Sequence, residues 1–141
     1  MKLTVTTPLE IVLDADGVAH VRAEDASGAF GILPGHADFL TVLAVSVLTW
    51  RDVKGADHHI AVRGGMLQVL GGQAITVDTR EAVANHDLHH LRTEVLAVFR
   101  REAEEDREAR VSAERLYLNA IQRIAGLARP VNRPPSDGGP G

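Results

Sequence analysis

Cysteine is absent from the sequence, so no disulfide framework or thiolate metal site can form, and the chain fits a reducing compartment. Aromatic residues make up only 4%, and the core must come from Val, Leu, Ile and Ala. No apolar run approaches the roughly 18 residues of a membrane span. The longest, "FLTVLAVSVLTW", holds Thr and Ser and reads as strand. The N-terminal "MKLTVTTPLEIVLDADG" alternates and carries acids early, unlike a secretory signal. Basic excess is also missing. The net charge is −4 and the pI about 5.9, which argues against a general nucleic-acid binder. Glycine and proline, frequent before Asn85, vanish until Gly126.

That gap divides the chain. Before it lie about ten short segments of alternating apolar character, among them "LTVTT", "IVLD", "VAHVRAE", "HHIAVRG", "GMLQVLG" and "QAITVDT". "FLTVLAVSVLTWRD" reads as one or two more. Gly64-Gly65 and Gly71-Gly72 read as tight hairpin turns. The segments predict an antiparallel β-sandwich or barrel over residues 1–85, in an α+β chain. Residues 86–128 read as helix, with Asn85 or Asp87 as N-cap and Gly126 as an end signal. Leu88, Leu91, Val95 and Val98/Phe99 form one apolar stripe. Ala113, Leu116/Tyr117, Ala120, Ile124 and Leu127 form another. Between them "RREAEEDREAR" has no large apolar residue. A two-helix hairpin turning near 107–112 is expected, although one helix of ~60 Å fits the same pattern, because nothing there breaks a helix. Pairs such as Arg100–Glu104, Arg101–Glu105 and Asp106–Arg110 add only about 0.2–0.5 kcal/mol each in either shape. The tail 129–141, "RPVNRPPSDGGPG", is rich in Pro and Gly and is expected to be disordered.

Seven histidines invite a metal reading. His86 and His90 have i, i+4 spacing, but no Glu follows His86 to make HExxH, and a metal needs three or four ligands. A solvated helix start is the simpler account, with Asp87 at the positive end of the dipole. His58 and His59 would point to opposite faces of a strand. "PGHAD" matches half of a cupin metal motif, with Asp38 where the second His should stand. There is no G-x-S-x-G elbow and no G-K-[ST] ending to "GAFGILPG". No catalytic site, cofactor or metal is expected, and binding is favoured over catalysis.

"GAFGILPGHADFLTVL", followed by "AVRGGMLQV", "ITVDTREA" and some forty helical residues, resembles the epsilon subunit of F-type ATP synthases over about residues 2–128. "HADFLTVL" and "LRTEVLAVFRREAEEDREAR" are similar to the alternate N-ATPase branch. The resemblance implies a non-catalytic central-stalk subunit that joins gamma to the c-ring and couples ATP turnover to ion translocation. It implies a peripheral place on the cytoplasmic face of the membrane, held only through the complex. Ala29, Phe30, Gly31, Pro34, Gly35, His36 and Asp38 would form the loop facing gamma and the c-ring, with His36 an interface residue bonded to backbone. Gly31 and Gly35 would admit close backbone approach.

The family's helical hairpin is a regulatory device that blocks ATP hydrolysis when extended. In that form Arg110, Arg115 and Arg123 would meet alpha and beta subunits, the alternative being solvated helix faces. Two departures stand out. The family's G-E-x-G pattern reads Gly28-Ala29-Phe30-Gly31 here, which favours apolar contact through Phe30. The ATP-binding motif [IL]-D-x-x-R-A is broken, since Arg92 comes two residues late and Thr93 follows it, so ATP sensing is not expected. Two readings from other classes are a cupin-like metal-binding barrel and a free ligand-sensing module.

Overall fold

Apolar side chains at every second position give each segment one side that must leave water. The computed structural model describes residues 1–128. They hold eight strands: β1 (Lys2–Thr6), β2 (Ile11–Ala15), β3 (Val18–Asp25), β4 (Gly28–Ile32), β5 (Phe39–Asp52), β6 (Asp57–Leu70), β7 (Ala74–Asp78) and β8 (Ala82–Ala84). The count is below the expected ten because β5 and β6 are each one 14-residue strand. Gly28–Ile32, read as loop from its glycines, is a strand paired with β3 from Val21↔Ile32 to Asp25↔Gly28. The tail 129–141 lies outside the described residues.

Gly64 and Gly65, expected to close a hairpin, bend β6 in mid-strand. Their φ angles are 68° and 111°. A Cβ on Gly65 would lie 2.0 Å from the Asp78 carbonyl oxygen, so no other residue fits. Before the bend β6 pairs with β8 (Ile60↔Ala84), and after it with β7 (Leu67↔Val77). The parity of the core positions changes there, from Ile60 and Val62 to Leu67 and Val69. In β5 it changes between Leu43 and Leu48. One sheet, ordered β2-β1-β7-β6-β5-β3-β4 with β8 on β6, therefore folds over and buries a single core. Leu3, Val21, Leu48, Ile60, Leu67 and Ile75 are central to it. The sandwich is not antiparallel throughout, because β1 pairs in parallel with β7 (Leu3↔Ile75). Five strands separate the two along the chain, which allows the long crossover that parallel pairing requires.

Asp87 caps the helical part, its carboxylate accepting from the His90 amide at 3.1 Å. Asn85 accepts from the Asp87 amide at 2.9 Å. A first turn, α1 (Leu88–His90), passes into a π-helical turn (Leu91–Val95) and then α2 (Leu96–Ala128). α2 is one helix where a hairpin was expected, and it runs through Gly126. No residue between 100 and 110 breaks it, and Arg107 pairs with Glu104 one turn away.

The chain divides into two compact units, Met1–Ala103 and a second from Glu104 onward. The first unit holds the strands of residues 1–85 and the start of the helical part. There Leu91, Leu96 and Phe99 are buried against Ala61, Val45 and Val47 on the outer side of β5 and β6. Arg63, with a side chain only 10% exposed, lies 3.3 Å from Glu81 and 3.1 Å from Glu102.

Candidate functional site

Leu33-Pro34-Gly35-His36 closes a tight turn between β4 and β5, with the His36 amide donating to the Leu33 carbonyl at 3.1 Å. Proline presets the second position, and Gly35 at φ 86° supplies the positive angle a type II turn needs at the third. The Gly35 amide donates to Gly72 O at 2.9 Å. The Gly71 amide donates to the Asp38 carboxylate at 2.8 Å. The loop is thus bonded at two points to the turn between β6 and β7. Gly72 is buried, and a Cβ there would lie 2.7 Å from Gly35 Cα.

His36 Nδ1 donates to the Ala37 carbonyl at 2.7 Å. Its ring lies 5.8 Å from that of Phe39, which meets Phe30 edge-on at 5.6 Å. Phe30 and Phe39 pack partly buried on the core and form the floor beneath the loop. Of the candidate residues, Ala29 and Gly31 are exposed on β4, Pro34, Gly35 and Asp38 are exposed in the loop, and His36 is half-buried. Arg110, Arg115 and Arg123 are exposed on α2, in the second unit.

Sequence reading missed the surface beside this loop. Leu40 and Val42 of β5, and Met66 and Leu70 of β6, are 46–66% exposed, and Val42 pairs with Met66 across the strands. Leu33, at 59%, continues the apolar surface onto the loop. The signal lay in "FLTVL", where Leu40 and Val42 are apolar on the side opposite the core residue Leu43. A strand apolar on both sides asks for two partners.

Asp25 lies behind the site. Its carboxylate accepts from the Ser27 hydroxyl and, at 2.7 Å, from that of Thr41. These bonds hold it below the usual carboxylate range and tie the β3–β4 turn to β5.

Three of the other histidines, His58, His59 and His90, make local contacts. His86 precedes the cap Asp87, so it shares no helix face with His90, which pairs instead with Glu94 at 3.0 Å. His58 stacks on Trp50 at 4.1 Å and pairs with Asp52 at 2.9 Å, while His59 meets the Thr49 hydroxyl at 2.8 Å. No cluster of three His, Cys, Asp or Glu that could hold a metal occurs among the described residues. No helix among them is long and apolar enough to cross a membrane.

Residues 1–85 match the family model of the ATP synthase delta/epsilon chain, beta-sandwich domain. Over 139 residues the chain is 46% identical to ATP synthase epsilon chain 2 of Cereibacter sphaeroides, spanning 96% of this chain and 90% of that one. The chain belongs to the ATP synthase epsilon family. A second epsilon chain 2, from Paraburkholderia xenovorans, is 38% identical over 130 residues, covering 92% and 94% of the two chains. Among solved structures, a chain of the Euglena gracilis mitochondrial ATP synthase (OSCP/F1/c-ring) aligns with a TM-score of 0.57 at 27% identity. It covers 63% of this chain and 57% of that one. A chain of the Tetrahymena thermophila central stalk and c-ring shares the fold, with a TM-score of 0.53 at 21% identity over 67% and 71% of the two chains.

Proposed function

We propose that the chain is the non-catalytic epsilon subunit in the central stalk of a rotary ATP synthase, where its sandwich joins gamma to the c-ring. One observation carries the reading: the loop 33–38 is tied down beside an uncovered apolar sheet face of Leu40, Val42, Met66 and Leu70. Such a face costs free energy while it is wet and gains it when covered. Gamma lies on this face, and the c-ring meets the loop through Ala29, Phe30, Gly31, Pro34, Gly35 and His36. The chain sits on the cytoplasmic side of the membrane and is held there by the complex. Its "HADFLTVL" and "LRTEVLAVFRREAEEDREAR" segments support a place in the N-ATPase branch.

Residues 86–128 serve as the regulatory arm, and the single helix is one of its two forms. Leu116, Tyr117 and Ile124 are 66–70% exposed on α2, a stripe that a folded-back hairpin or a neighbouring subunit would cover. In the extended arm Arg110, Arg115 and Arg123 face acidic surface on the beta subunits. Two packings of one sequence that differ by a few kcal/mol suffice for such a device.

The test is a pull-down of the tagged full chain from detergent-solubilised membranes. Recovery of gamma, alpha, beta and c subunits is expected. Met66→Lys should abolish recovery while leaving the melting temperature nearly unchanged, because its side chain is exposed and the residue opposite it is Asp78. Recovery of the chain alone from cells that express these partners would overturn the reading.

A further inference from the structure

A loop of Leu, Pro, Gly and His exposed to water would be mobile if only its two ends held it. The ties to Gly71 and Gly72 prevent that. They run in opposite directions, Gly35 donating to the turn and Asp38 accepting from it, so neither side of the loop can lift without breaking one. The two glycines that face each other have different requirements. Gly35 has open space around a Cβ position and is needed for its backbone angle. Gly72, at φ 66°, shares that need, and in addition Gly35 fills the space a side chain would take. Asp38 spends one carboxylate oxygen on the Gly71 amide of the turn. Leu70 stands immediately before the turn and Leu40 soon after the loop. Both are exposed on the open sheet face, so the mount and that face form continuous surface.

We propose that Asp38 and the Gly71–Gly72 turn are positioning residues that hold loop 33–38 in its docking conformation, so that turn and loop engage the rotor partner as one rigid platform. This rests on the stalk reading above. A loop ordered before contact loses little entropy on binding, and the gain appears as slower dissociation.

The experiment uses the full chain and two variants of Asp38. Asparagine keeps an acceptor oxygen and alanine removes it. By amide exchange followed with NMR, Asp38→Ala should speed exchange on the order of tenfold at both Gly71 and Gly35, since loss of one tie loosens the other. Asp38→Asn should restore both. Against a gamma–c-ring rotor freed of its epsilon chain, Asp38→Ala should dissociate about tenfold faster and Asp38→Asn near the wild-type rate. Gly72→Ala is the second route, and its dissociation should speed at least as much if the chain keeps its fold by circular dichroism. Faster exchange at Gly71 with none at Gly35 would overturn the coupling. Wild-type dissociation of Asp38→Ala from a rotor that wild-type chain binds would overturn the positioning role alone. Failure of the wild-type chain to bind the rotor would instead overturn the stalk function.

Discussion

Residues 88–102 and 104–126 carry the same kind of sequence, helical and striped with apolar side chains, yet they meet different surroundings. In the first stretch Leu91 is 0%, Leu96 5% and Phe99 2% exposed. In the second, every residue is exposed, with Leu116 at 70% and Tyr117 at 68%. A stripe therefore states a need for cover without saying what supplies it. The first finds Ala61, small enough to admit large side chains, flanked by Val45 and Val47. Arg63 beside them reaches Glu102 and Glu81. Phe99 and Glu102 make these contacts shortly before Ala103, where the first compact unit ends.

Truncation gives the sharpest contrast. Ending the chain after residue 85 should cost about 5 kcal/mol of unfolding free energy, since three large apolar side chains leave the sheet. Ending it after residue 103 should change stability by about 1 kcal/mol or less. Equal losses in urea denaturation would erase the distinction between the two stretches. Single substitutions repeat it on a smaller scale. Phe99→Ala should cost about 3 kcal/mol through the cavity it leaves, and Tyr117→Ala no more than about 0.5 kcal/mol. Arg63→Gln should cost about 1–2 kcal/mol, because it removes the cation that Glu81 and Glu102 share. Glu102→Gln should cost about half as much, because Arg63 keeps Glu81. A double-mutant cycle on Arg63 and Glu102 measures their coupling, and a value near zero would leave the apolar contacts alone to explain the docked helix.

Acid should act on the first unit through three carboxylates. Asp25 is held low by Ser27 and Thr41, Asp52 by His58 and the Ala56 amide, and Asp57 by Arg51. A carboxylate lowered on folding stabilises the fold above its unfolded value of about 3.9. That contribution is lost as pH falls through the lower folded value. Thermal melts should therefore show stability declining below about pH 4, and less steeply in Asp52→Asn. A melting temperature indifferent to pH in that range would sink the linkage.

Much of this was legible in the residues. Asp87 is the N-cap that its place before "LHHL" suggests, and Gly71-Gly72 is the turn its glycines announce. The loop around Pro34 and Gly35 stood out for the same reason. Other features had no local signal. Gly64-Gly65 looks like Gly71-Gly72 in sequence, and only the nearness of Asp78 makes the first pair a bend within a strand. Asp38 reads as a surface acid, and its acceptor role depends on Gly71, 33 residues away.

Alternation, caps and the run without glycine or proline act over a few residues, so the chain's own chemistry settled which segments are strand, turn and helix. Where β6 folds over, which apolar stripe is covered, which sheet face stays open and what fastens the loop all depend on groups far apart in the chain. Those were decided when the sheet doubled over, because burial and hydrogen bonding require a second surface, and no segment carries its own.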